Sequence, residues 1–309
     1  MNQPLAFRDD GSFTIVQFTD LHWHDGTGLD VCTASLMEMV LGAERPDLVV
    51  LTGDVLQGSE CPDPAAAWRR AVEPMESRAV PWAAVFGNHD DEGSLSRREL
   101  LAVQRGCRMC MSEAGPDNVP GVGNYVLNIP SHDRSGLSAV LYCIDSGSYA
   151  ADGDGYAAIS REQIDWFRST SSYDAEDRKQ IALCSIPALV FLHIPLPEFA
   201  LAGQAGSFRG SHLEAVQCPR VNSGFFAAAR SAGVLGIFVG HDHLNDFDAE
   251  WNGVRLCFGR ATGYRTYGRE GFAHGARVIR LIEDSRGFET WLILDDGTAI
   301  GQISVAPDR

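Results

Sequence analysis

Five short segments carry residue types that hold metal ions: Asp20-Leu21-His22, Gly53-Asp54, Gly87-Asn88-His89-Asp90, His193 within Phe191-Leu192-His193-Ile194-Pro195, and Gly240-His241-Asp242-His243. Leaving His89, Asp90 and Asp242 aside, they offer two carboxylates (Asp20, Asp54), one amide (Asn88) and four imidazoles (His22, His193, His241, His243). Such a mixture of nitrogen and oxygen donors suits manganese, iron or zinc better than magnesium or calcium. Asp20/His22 and His241/His243 are each spaced i, i+2, which keeps both side chains on one side of an extended segment and turns Asp242 to the other. Five of the nine histidines fall in these segments. Burying the set without a cation would cost several kcal/mol for each unpaired group, so together they read as a metal site. His24, His132, His212 and His274 read as ordinary hydrogen-bonded histidines.

These residues must be positioned by strand ends. Apolar, β-branched runs occur at Phe13–Phe18, Leu48–Leu51, Trp82–Phe86, Ala139–Ile144, Leu189–Leu192 and Leu235–Val239, and near-continuous runs of this kind predict strands buried on both faces. Each of the five segments follows such a run, and ligands of open α/β sheets gather beyond the carboxyl ends of strands. Between the runs, helical periodicity covers 31–44, 64–78, 95–114, 160–170 and 222–232. Ser160 with Gln163 predicts a capping box, and Gly233 a helix C-cap. From residue 250 onward the pattern turns to strands alone, at Val254–Phe258, Ala276–Ile282 and Phe288–Leu294. The whole reads as an α/β (α+β) chain of layered sheets flanked by helices, in one domain over 1–309.

Composition narrows the function classes. The 309 residues carry a net charge of −16, which argues against broad nucleic-acid or anionic-membrane binding, since both need a basic face. Residues 1–10 lack the basic start and apolar run of a signal peptide. The most apolar stretch, 181–196, holds Cys184, Pro187, His193 and Pro195 and is too short and interrupted to span a bilayer. Eight cysteines are too sparse for a disulfide scaffold; Cys107 and Cys110 form a lone CxxC inside the predicted helix 95–114 and read as packed thiols. A reducing, cytoplasmic setting is the expectation.

Taken in order over residues 20–243, the segments resemble the motif set DxH, GD, GNH(D/E), lone His and GHxH of the calcineurin-like metallophosphoesterases. The resemblance covers nearly the whole chain. Further stretches are similar to the branch that holds plant purple-acid-phosphatase-like proteins and a yeast cell-cycle phosphatase. These are Phe86–Gly93 with Leu95-Ser96-Arg97, Gly123-Asn124-Tyr125, Asp145–Tyr149, Asn222–Phe226, His243–Asp246 and Gly259–Gly268. The fold this implies is a four-layer αββα sandwich of two mixed β-sheets flanked by helices. One position departs: purple enzymes carry an iron-ligating tyrosine three residues after the bridging aspartate, where this chain has Gln57. No purple chromophore is therefore expected. In some relatives an aspartate there orients the catalytic histidine, so the partner of His89 is open.

The resemblance also implies roles. Asp20, His22, Asp54 and His243 would hold one metal ion; Asp54, Asn88, His193 and His241 the second, with Asp54 bridging. Two such ions, divalent or trivalent manganese, iron or zinc, would activate a shared hydroxide for in-line attack on a phosphate ester. His89 would be the catalytic acid or transition-state stabiliser. Arg260, Tyr264 and Arg265 in the segment 259–268 are candidate substrate contacts, whereas Arg97 and Arg98 read as a solvated helix face. The expected partner is a phosphorylated substrate, small molecule or phosphoprotein, with a phosphate monoester as first reading and a diester such as a cyclic nucleotide as the alternative. A non-catalytic scaffold would be expected to lack several of these ligands.

Overall fold

The computed structural model describes residues 5–180 and 186–302. Residues 1–4 and 181–185, the latter including Cys184 at the start of the apolar stretch, lie outside the described residues. Strand runs and helical periods assemble into two mixed sheets. One sheet has the order β13 (Ala299–Gln302), β12 (Phe288–Leu294), β11 (Gly275–Ile282), β1 (Ser12–Phe18), β2 (Leu48–Thr52), β3 (Trp82–Val85). The other has the order β4 (Tyr125–Pro130), β5 (Leu137–Cys143), β6 (Ala188–Phe191), β8 (Val234–Val239), β10 (Val254–Phe258), β9 (Asp248–Trp251), β7 (Phe208–Arg209).

The period of two along each strand sorts side chains into layers. Phe13, Ile15, Leu48, Val50 and Val85 of the first sheet face Leu141, Leu189, Phe191, Phe238 and Cys257 of the second, forming the central layer. Their alternates, among them Val16, Phe18, Val49, Leu51 and Trp82, pack under α1 (Leu29–Glu44), α2 (Pro64–Ala71), α3 (Glu73–Ser77) and α4 (Arg97–Arg105). Val140, Tyr142, Val190, Ile237 and Phe258 pack under α5 (Arg161–Gln180), α6 (Pro197–Ala205) and α7 (Phe225–Ser231). This is the αββα sandwich. Among the described residues no helix is long and apolar enough to cross a membrane.

Strands β1, β2 and β3 run parallel, as do β5, β6, β8 and β10, so each sheet ends its parallel strands along one edge. Gln17 of β1 draws the two edges together. Its buried amide donates to Thr52 Oγ1 (2.8 Å) in its own sheet and to the Val239 carbonyl (3.0 Å) in the other.

Several boundaries differ from expectation. The predicted helix 95–114 ends at Arg105, because the chain turns at Gly106 and residues 109–111 pair with Trp82 beside β3 (Trp82 N to Met109 O 3.0 Å, Met111 N to Trp82 O 2.7 Å). Cys107 and Cys110 therefore lie outside the helix, and burial raises both thiols above their ordinary range. The span 64–78 breaks at Val72, two residues before Pro74, whose ring and missing N–H fit only a helix start. Ser160 and Gln163 form their capping box (2.9 and 3.2 Å), and Gly233 follows α7 at φ 77°.

The central layer is the natural target for a stability test. Phe191 and Phe238 stack across neighbouring strands with centroids 5.1 Å apart. Phe238→Ala should destabilise the fold by about 3–5 kcal/mol in urea unfolding; a loss under about 1 kcal/mol would mean this layer is not tightly packed.

Candidate metal centre

Candidate metal ligands sit just past strands that end at the shared edge: Asp20 after β1, Asp54 after β2, Asn88 after β3, His193 after β6 and His241 after β8. The backbone there bends out of the strand. Asp20, His22, Asp54 and His241 all have positive φ (55°, 46°, 47° and 79°), a conformation that costs a non-glycine residue energy and clusters at functional sites. Two of the flanking glycines serve a different need, because a Cβ on Gly87 would lie 2.1 Å from Asp54 Oδ1, and one on Gly240 only 1.9 Å from Thr19 Oγ1. Gly87 and Gly240 have no positive φ; they are glycine because neighbouring side-chain oxygens, of Asp54 and of Thr19, approach too closely for any side chain.

The side chains converge in two groups. Donor atoms of Asp20, His22 and His243 lie within 4.8 Å of one another, as do those of Asp54, His193 and His241. His22 Nε2 faces His243 Nε2 at 3.2 Å, and His193 Nε2 faces His241 Nδ1 at 3.2 Å. Asp54 Oδ2 stands between the groups, 3.1 Å from His193 Nε2 and 3.7 Å from His22 Nε2. All six side chains are buried. Asn88 adds a seventh donor: its Oδ1 is buried with no hydrogen-bond partner, while its amide nitrogen donates to Tyr149 Oη (3.2 Å).

Hydrogen bonds behind the imidazoles fix which nitrogen faces inward. His193 Nδ1 donates to the Thr52 carbonyl (2.8 Å) and His22 Nδ1 to Gln57 Oε1 (2.5 Å), so each Nε2 lone pair points into the cluster, an arrangement typical of metal-ligating histidines. Burial opposes the negative charge on Asp20 and Asp54, yet the surrounding imidazoles win and hold Asp20 below the usual carboxylate range and Asp54 well below it. Burial also opposes a charged His193, but Asp54 lifts it to about 9; burial and His193 push His241 down to about 3. Two nitrogens 3.2 Å apart accept one proton between them, or one cation. The convergence of lone pairs, the ionised carboxylates and the orphaned Asn88 oxygen together fit two metal ions.

His89 lies beside the cluster, its ring 5.3 Å from that of His22 and its backbone N–H on Asp54 Oδ1 (2.8 Å). Its side chain is 30 % exposed, and Nδ1 donates to Glu92 Oε2 (2.8 Å). Burial alone would lower this histidine, but Asp54 and Glu92 raise it. Glu92 is thus the partner the sequence left open, while Gln57 serves His22. Glu92 Oε1 also accepts from Tyr149 Oη (2.9 Å), which links His89 to Asn88 through one carboxylate and one phenol. No spacing rule marks Glu92; only its place three residues after His89, within reach across the turn, could have pointed to it.

Other assignments change. Arg97 is buried, not solvated. It binds Asp145, the Gly87 carbonyl (2.7 Å) and the Gly147 carbonyl (3.1 Å), clamping the Asn88 turn to the 145–149 turn. Arg98 is the exposed one, 3.4 Å from Asp117. In the segment 259–268, Arg260 is buried against Asp246, the Ala273 carbonyl and the face of Phe272. Tyr264 donates to Asp295 (2.8 Å), and Arg265 binds Asp30 (2.8 Å) and the Thr27 carbonyl (3.0 Å). The segment reaches the site by other means: Thr262 and Gly263 N–H groups bond to the Thr19 and Asp20 carbonyls (3.0 and 3.1 Å), and Tyr267 stacks on His243 at 4.2 Å. Asp242 faces away and accepts from Gln217 N and Asn245 Nδ2, with burial raising it to about 8. His24, His132, His212 and His274 contact Glu60, Glu283, Phe208 and Tyr264, apart from both groups.

Two mixed sheets carrying paired Asp/His clusters at one edge are the architecture of the dimetal phosphoesterases. The chain belongs to the calcineurin-like phosphoesterase family, whose model matches residues 13–245. At 33% identity it is similar to "Probable inactive purple acid phosphatase 14" of Arabidopsis thaliana, over 94% of this chain and 80% of that one. It is also 33% identical to the phosphatase DCR2 of Saccharomyces cerevisiae, over 83% of this chain and 49% of that longer protein. A dimetal phosphatase of Danio rerio has the same fold, with a TM-score of 0.63 at 14% identity over 95% of this chain and 98% of that one.

Metal content tests the donor set. His193→Ala should lower bound metal by about one ion per chain. Gly240→Ala, whose new methyl group must displace Thr19 and Asp20, should also lose metal while remaining folded by circular dichroism. Full stoichiometry in both variants would count against these ligands.

Proposed function

We propose that this protein is a metal-dependent hydrolase of phosphate monoesters, acting on a phosphoprotein or a small phosphate ester. The observation that carries the reading is the complete buried donor set, Asp20, His22, Asp54, Asn88, His193, His241 and His243, with a partly exposed imidazole, His89, beside it. Asp20, His22, Asp54 and His243 would hold one ion and Asp54, Asn88, His193 and His241 the other, from among manganese, iron and zinc. When bound, two such ions supply an activated water and polarise the phosphoryl oxygens.

The chain's own groups do the rest. Asp54, ionised and shared between the groups, keeps both halves of the site in register. His89 stands where it can protonate the leaving oxygen, and the bond from its Nδ1 to Glu92 leaves Nε2 as the nitrogen that gives the proton. Glu92 is therefore a positioning residue. The relative named as an inactive purple acid phosphatase sharpens the question of activity, and the retained donor set supports activity here. An unpaired cluster of this size would be costly to bury without metal.

After loading with manganese, iron or zinc, p-nitrophenyl phosphate should be hydrolysed faster than bis-p-nitrophenyl phosphate. A preference for the diester would replace the monoester reading by a phosphodiesterase; no turnover of either, with two metals bound, would overturn hydrolysis of simple esters. His89→Ala should keep both metals and lose about 10²–10⁴-fold in turnover. Glu92→Gln should also keep them and lose roughly 10–100-fold, as expected for a group acting through another. Full activity in His89→Ala would remove it from the mechanism.

A further inference from the structure

A second cavity lies at the opposite end of the same strands. Its volume is about 560 Å³, and it opens between β7, the β9–β10 hairpin and the turn before β12. Leu235, at the start of β8, lines it, whereas His241 follows that strand's far end. At about 3.3 Å per residue the two are on the order of 20 Å apart, so the cavity is separate from the metal centre.

Its walls combine two chemistries. Phe208, Leu235 and Phe288 supply an apolar surface, and Gly236 makes room for Phe288, since a Cβ there would lie 2.8 Å from the ring. Arg209, Arg255 and Arg286 supply three positive charges against two negative ones, Asp248 and Glu250. Asp248 is buried and fully engaged. Its Oδ1 accepts from Arg209 Nη2 (2.7 Å) and Arg255 Nε (2.9 Å), and its Oδ2 from Arg255 Nη2 (3.0 Å). The carboxylate thus fixes two guanidinium groups at the cavity wall, and the Arg255 guanidinium stands 5.2 Å from the Phe288 ring centre. Two guanidinium groups sharing one buried carboxylate, fixed beside an aromatic ring in a chain of net charge −16, are what a small anion with an apolar body requires.

We infer that this cavity binds a small molecule with a flat apolar body and one anionic group, a carboxylate or a phosphate. The probes are 2-naphthoate and its neutral counterpart 2-naphthalenemethanol, titrated calorimetrically into the metal-loaded protein. Naphthoate should bind once per chain, and the alcohol at least roughly tenfold more weakly, since it lacks the anionic half of the recognition. Leu235→Trp, which fills the cavity, and Arg286→Glu, which reverses its charge balance at the exposed rim, should each weaken naphthoate by roughly tenfold. His193→Ala should leave naphthoate binding unchanged, separating this site from the metals. Absence of naphthoate binding, equal binding of the alcohol, or full binding by Arg286→Glu would each overturn the inference. Loss of binding in His193→Ala alone would assign it to the metal centre. Arg286→Glu changes an exposed side chain, so the test stands even if Leu235→Trp does not fold.

Discussion

The carboxylate of Asp54 is the interaction on which the rest of the site depends. One oxygen lies between His22 and His193, each from a different group of donors, and the other receives the backbone N–H of His89. A single side chain therefore sets the positions of the first sheet's ligands, the second sheet's ligands and the candidate acid. It can do so because Gly87 has no side chain to obstruct it and because its own backbone takes a left-handed turn as β2 ends. An ionised carboxylate buried in this way is tolerable only among groups that return its charge, and the His193 and His22 imidazoles stand 3.1 and 3.7 Å from it.

Four residues with positive φ where the parallel strands of the two sheets end represent stored backbone strain, which must be offset by surrounding structure. The offsets are visible. Gln17 ties the two sheets together just before the ligands begin, and Thr262 and Gly263 hold the Asp20 turn through backbone bonds. Asp90 accepts from Leu56 N (2.8 Å) and Gly87 N (2.7 Å), bracing the turns after β2 and β3 against each other. Arg97 and Asp145 do the same for the turns after β3 and β5. None of these residues needs to touch a substrate, and Arg97, Asp145, Thr262 and Gly263 lie in stretches that resemble the family outside the metal motifs.

The fold was legible in the sequence to the extent that hydrophobic period alone decides it. Buried strands such as β1, β8 and β10 have near-continuous apolar runs, and their alternation assigns them to two faces. The second sheet's edge strands were not legible: β4 ends in a proline and is interrupted by Asn128, and β7 is two residues long, so their pairing comes from neighbours and not from local preference. The metal ligands were legible because their chemistry is carried by residue type and spacing. The contacts around them were not, since Glu92, Tyr149 and Tyr267 reach the site by tertiary approach, and Arg97, Arg260 and Arg265 are charged side chains spent on internal partners.

The position of Gln57 separates two properties that a name can join. The tyrosine that colours purple phosphatases is missing, but the loss does not empty a ligand position in this chain. Gln57 instead accepts the Nδ1 proton of His22, and that bond presents Nε2 to the same cluster. A neutral amide suits this task, because a carboxylate there would add a third anion beside Asp20 and Asp54 and weaken the cluster's net attraction for a phosphate ester. Were two divalent ions bound, two carboxylates would leave the centre a positive excess inside a strongly acidic protein. Absence of the chromophore and absence of activity are thus different claims, and only the first follows from Gln57.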